Sequence, residues 1–125
     1  MEMKVVTPKE TYDLPLDAFS RGDLELEDAY ILIPPGAEIL CKIMLVKGKR
    51  VRIIGDTERM PTIAGGILKL EGDDFYIHNI RFWACKLELA PHTIINSCVL
   101  SDCEIVFPKD MGRIVNSGVM CAQRR

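Results

Sequence analysis

The sequence predicts an all-β chain wound as a parallel solenoid, and three observations carry that prediction. The first is a short phrase that recurs as Tyr76-Ile77-His78-Asn79, Thr93-Ile94-Ile95-Asn96 and Arg113-Ile114-Val115-Asn116, after a degenerate copy at Arg52-Ile53-Ile54-Gly55. The closing residues of these copies lie 24, 17 and 20 positions apart, the period of one structural repeat per turn. The second is a phrase in step with it: Leu24-Glu25-Leu26, Met44-Leu45-Val46, Leu68-Lys69-Leu70, Leu87-Glu88-Leu89 and Ile105-Val106-Phe107. Their outer residues are apolar and the middle ones mostly not, the alternation of a half-buried strand. The third is a short strand after each Asn: Ile80-Arg81-Phe82, Ser97-Cys98-Val99 and Ser117-Gly118-Val119. Short strands repeating three to a turn over about five turns describe a solenoid.

Taken in order, residues 1–23 read as an N-terminal cap and residues 24–125 as the solenoid. Asp13 to Ser20 suits a short helical turn, with Pro15 tolerated near its start. A cap covers the strand edge that the first turn would otherwise expose. Tyr30-Ile31-Leu32-Ile33 supplies the first turn's copy of the recurring strand. Stacked turns put equivalent positions one strand spacing apart, about 4.8 Å, so the repeats predict interior ladders. One is Ile53, Ile77, Ile94 and Ile114; a second is Leu68, Leu87 and Ile105; a third is Phe82, Val99 and Val119. Gly55, Asn79, Asn96 and Asn116 are expected at a tight corner, where Asn and Gly accept left-handed backbone angles and stacked amides can bond.

The phrases Ile31-Leu32-Ile33-Pro34-Pro35-Gly36, Lys49-Arg50-Val51-Arg52-Ile53-Ile54-Gly55 and Leu70-Glu71-Gly72-Asp73-Asp74-Phe75-Tyr76-Ile77-His78-Asn79-Ile80-Arg81-Phe82 resemble early turns of the pectin-lyase-like superfamily. The resemblance covers roughly residues 24 to 121. It implies a single-stranded right-handed parallel β-helix, a winding that agrees with the general crossover preference. It implies no one activity, because that superfamily holds lyases, hydrolases, adhesins and viral spikes. Its acidic catalytic constellations match no residues of this chain, so no catalytic residue, metal ligand or cofactor is expected.

Composition sets further bounds. The net charge is -2, hydrophobic residues make up 48% and charged residues 27%, ordinary for a globular domain. No charged segment followed by an apolar run opens the sequence, and no apolar run approaches a membrane span. With five cysteines, that favours a reducing compartment such as the cytoplasm. Cys85, Cys103 and Cys121 recur every 18 residues and read as an interior column rather than a metal or redox site. His78 and His92 have no nucleophile placed beside them by any motif.

Two surfaces remain as candidates. Lys47, Lys49, Arg50 and Arg52, with Lys42, form a basic strip without an acid. A phosphate partner would need such a strip, but the absence of interleaved aromatics and the six acids between Asp13 and Asp28 argue against nucleic acid. If Ile53, Ile77, Ile94 and Ile114 point inward, Ile54, His78, Ile95 and Val115 point outward. That largely aliphatic face suggests an interface. The sequence therefore favours a non-catalytic assembly protein, a self-associating homotrimer resembling a virion or spike component. The alternative is a carbohydrate-binding or polysaccharide-degrading protein that meets a glycan along an exposed strand face.

Overall fold

The computed structural model describes residues 2–19, 21–108, 113–115, 118–120 and 123–124, and side chains within residues 2–18 and 22–108. The chain is all-β, a solenoid of parallel strands making about four turns. Strands β1 (Glu2–Val6) and β2 (Thr11–Pro15) and a 3-10 turn (Leu16–Phe19) precede β3 (Arg21–Leu32), β4 (Glu38–Leu40), β5 (Ile43–Ile54), β6 (Thr62–Ala64), β7 (Ile67–His78) and β8 (Arg81–Trp83). There follow β9 (Lys86–Glu88), β10 (Ile94–Asn96), β11 (Val99–Ser101), β12 (Glu104–Val106), β13 (Arg113–Val115), β14 (Gly118–Met120) and β15 (Gln123–Arg124).

Each turn presents three outer faces. The long strands β3, β5 and β7 pair in parallel and bend partway, giving two faces from one strand. The bend falls at Asp28, Arg50 and Asp74, with φ of 52°, 55° and 62°, and His92 continues the column at 59°. Beside it the backbones of successive turns nearly touch. A Cβ on Gly72 would lie 1.9 Å from the Gly48 carbonyl oxygen, and one on Gly48 would lie 2.0 Å from that of Leu26. Only glycine fits there. The third face is the separate sheet β4-β6-β8-β11-β14.

The core is a set of inward columns. Met44, Leu68, Leu87 and Ile105 stack in register with almost no exposure, which contains the predicted ladder of Leu68, Leu87 and Ile105. Ile31, Ile53 and Ile77 form another, and here the structure corrects the sequence reading: the next rung is Ile95, not Ile94. Ile95 is fully buried and in register with Ile77 and Ile114. Aligning Asn96 with Asn79 puts Ile94 inward in the sequence, whereas in the structure the inward residue before Ile95 is Thr93. It is a polar residue facing inward, fully buried, whose hydroxyl donates to the Ala90 carbonyl at 2.7 Å. That bond offsets the cost of burying the hydroxyl. The same one-residue offset corrects the third ladder: Phe82 is followed by Leu100, while the half-buried Val99 sits over Arg81.

The corner is corrected too. Asn79 (φ 58°) is followed at that corner by Ser97 (φ 55°), while Asn96 stays in β10 beside His78. No amide ladder links Asn79 to Asn96: the Asn79 amide donates to Thr57 Oγ1 at 3.0 Å, and that of Asn96 to the Tyr76 hydroxyl at 2.7 Å. Gly55 has no positive φ. It is glycine because a Cβ would lie 2.0 Å from the Asn79 carbonyl oxygen and 2.8 Å from Pro61. Asn116 lies outside the described residues.

At the N-terminal end, β1 and β2 form a hairpin, and β1 pairs antiparallel with β3. Met3 and Val5 are fully buried, so the hairpin shields the first turn's core and occupies its strand edge. The helical turn expected within Asp13 to Ser20 is the short 3-10 turn, and the hairpin had no counterpart in the sequence reading.

Candidate functional site

The candidate site must lie on the outer faces, because the interior is filled by side chains. On the first face the basic strip changes character once the register is known. Lys47 lies between Glu25 and Glu71, Lys49 between Glu27 and Asp73, and Arg50 between Asp28 and Asp74. Arg50 is clamped by the Asp28 carboxylate through two of its nitrogens and reaches Glu27 at 3.3 Å. Arg52 reaches Asp74 at 3.1 Å, and His92 Nδ1 lies 2.7 Å from Asp73. The hydrogen bond from Arg50 holds the Asp28 carboxyl below the usual range, and the same bond holds the Arg50 guanidinium above its own. An open groove of about 670 Å3 runs over Gly48 and Gly72 between these columns. A phosphate chain approaching it would meet more carboxylates than cations.

The second face carries the predicted interface residues. Leu32, Ile54, His78 and Asn96 form one outward column, with Val115 next in register on β13; Tyr30, Arg52, Tyr76 and Ile94 form the other. Ile54 and His78 are half-buried and outward as expected, but Ile95 belongs to the core. The face is therefore less aliphatic than the sequence implied. Its centre is polar: the Asn96 amide donates to the Tyr76 hydroxyl, and His78 Nδ1 lies 3.1 Å from the Asn96 carbonyl oxygen. A carbonyl oxygen only accepts, so Nδ1 carries a proton in that bond.

Among the described residues the most exposed apolar side chains are elsewhere. Leu40, Ile43 and Trp83 are 74%, 60% and 55% exposed. Leu40 and Trp83 share one outward column of the third face with Ala64 between them, and Ile43 lies just beyond the adjoining Cys41-Lys42 corner. Glu38, Thr62 and Arg81 form the parallel column beside them. The sequence reading passed over this patch because its residues do not belong to the recurring phrase. A signal was present in Phe82-Trp83-Ala84, where a buried Phe next to Trp forces the Trp outward.

Cys41, Cys85, Cys98 and Cys103 are buried, with thiols directed at backbone carbonyls. Burial pushes Cys41 and Cys98 up to about 11. The Cys85 and Cys103 thiols, neighbours in successive turns, act on each other in opposite senses: interaction with Cys103 and burial push Cys85 up, while interaction with Cys85 draws Cys103 down. Cys121 lies outside the described residues. Among the described residues no cluster of three or more His, Cys, Asp or Glu is arranged to hold a metal ion, and no helix is long and apolar enough to cross a membrane. No protein-family model, curated protein or solved structure matches this chain.

Proposed function

We propose that this chain is a non-catalytic assembly module, a short rigid solenoid that self-associates through an outer face as part of a larger particle or spike-like structure. The observation that carries the reading is that Leu40 and Trp83, large apolar groups left mostly in solvent, stand in one outward column of the third face, with Ile43 exposed just past the adjoining corner. Large exposed apolar side chains grouped on one face with an aromatic anchor are typical of interfaces. The columns of the first face alternate acid and base from turn to turn, with Arg50 and Arg52 paired to acids. Kinship with the pectin-lyase-like superfamily, with its right-handed winding, belongs to the same reading and is supported by the recurring phrases and the parallel stacked turns. Burial of the three side chains would contribute at about 25 cal/mol per Å² of apolar surface removed from water. Light scattering after gel filtration, in reductant and over a wide concentration range, tests the reading. A mass above one chain that returns to one chain in Trp83→Asp is expected; a monomer at every concentration overturns it.

A second reading, glycan binding along the second face, is favoured by Tyr30 and Tyr76 flanking Arg52 in one outward column beside His78 and Asn96. Sugars pack on aromatic rings and bond to flanking polar groups. A glycan array with Tyr76→Ala as the control decides it: hits that vanish in the variant support this reading, and an array without hits retires it.

A further inference from the structure

The β4-β6-β8 part of the third face is self-complementary. Its two outward columns read Leu40, Ala64, Trp83 and Glu38, Thr62, Arg81 there, one residue per turn in strict register, before they continue on β11 with Ser101 and Val99. A two-fold axis along β6 reverses the order of the turns and leaves each column facing its own copy. Leu40 then meets Trp83 of the second molecule, and Glu38 meets its Arg81. The small Ala64 and half-buried Thr62 meet themselves on the axis, which lets the sheets approach to about 10 Å. The other in-plane two-fold, parallel to the solenoid axis, sets Leu40 against Glu38 and opposes unlike columns. Among the described residues neither Glu38 nor Arg81 has an ion pair within its own chain, so both charges are available to a partner.

We propose that this chain forms an antiparallel two-fold dimer through the face of β4, β6 and β8, with Glu38 of each molecule opposite Arg81 of the other. The proposal rests on the self-association reading above and replaces the expected cyclic trimer with an isologous pair, in which one patch serves both subunits. The face is only three residues wide, so the dimer belongs among small interfaces with dissociation constants of micromolar order or weaker.

Charge exchange tests the geometry. In E38R and in R81E, both cross-contacts of the dimer become like-charged; in a one-to-one mixture of the two variants, both become opposite again. Sedimentation equilibrium should show each variant alone dimerising on the order of tenfold more weakly than the parent, each contact changing by a few-fold. The mixture and the double variant E38R/R81E should recover the parent affinity. A parent that associates, but whose variants neither weaken nor recover on mixing, overturns this geometry and leaves self-association standing. A parent mass of three chains overturns the dimer likewise. A parent that stays monomeric overturns both readings. All four side chains exchanged or paired here lie on the surface, so a folding defect would itself contradict their placement.

Discussion

Replacing Ile95 with alanine separates two registers that the sequence alone leaves one residue apart. In the structure Ile95 is fully buried, in register with Ile77 on β7 and with position 114 on β13, while Ile94 is half-buried on the outside beside Tyr76. Ile95→Ala removes roughly three methylene-sized groups from the core, about 2.4 kcal/mol of transfer free energy. The column has turns packed on both sides and cannot close over the gap, so a cavity term raises the loss to about 3–4 kcal/mol. Ile94→Ala should cost less than about 1 kcal/mol. With a urea slope of roughly 1–3 kcal/mol/M, Ile95→Ala lowers the unfolding midpoint by roughly 1–4 M, read by far-UV circular dichroism, and Ile94→Ala barely moves it. A larger loss for Ile94→Ala would refute the register and restore the outward Ile95. A slip of one residue exchanges the two faces of a strand, so an intermediate result for both is not expected from a single native register.

Three further outcomes follow from the same geometry. Gly72→Ala should destabilise by at least about 3 kcal/mol, since it adds steric overlap with the Gly48 carbonyl to an unfavourable φ. Gly65→Ala, with 3.5 Å of room at a corner where Ala84 already adopts φ 55°, should cost about 1 kcal/mol; thermal melts compare them. Asp28, whose carboxyl is held low by the Arg50 hydrogen bond, contributes stability above the unfolded carboxylate pKa of about 4 and loses it as pH falls through the lower folded value. Urea titrations at neutral and acid pH should therefore show a smaller acid-induced loss in Asp28→Asn than in the parent; equal losses would contradict the pairing. Finally, Cys41, Cys85, Cys98 and Cys103 are buried, so an aromatic disulfide reagent should modify these four only as fast as the protein opens. Immediate reaction of Cys98 would contradict its place in the core.

Much of the fold was legible because a solenoid writes its period into the chain. Leu68, Leu87 and Ile105 recur with clean alternation, and their ladder is the one observed. Ile94 and Ile95 are where legibility stopped. Two adjacent isoleucines fit either parity, and aligning Asn96 with Asn79 selects the wrong one; the polar Thr93 is tolerated inside because its hydroxyl is satisfied by the Ala90 carbonyl. That bond is a tertiary fact. Asn96 repeats Asn79 in the recurring phrase and so reads as a corner residue, yet its side chain serves Tyr76 in the preceding turn.

By itself the sequence determined the class of the molecule: all-β, parallel, about one turn per twenty residues, with interior aliphatic columns. Burial periodicity is a local property, and local patterns survive in one dimension. Only the tertiary structure decided which charges and which apolar groups meet. Lys47, Lys49 and Arg50 look like an unbroken cation strip along the chain, yet stacking places acids on both sides of each, about 22 to 24 residues away. Leu40, Ala64 and Trp83 look unrelated in sequence, yet register aligns them into one column. In a solenoid the neighbours that set electrostatics and surface lie a full turn apart, and the length of each turn is set by its corners, where loop lengths vary and no periodic signal constrains them.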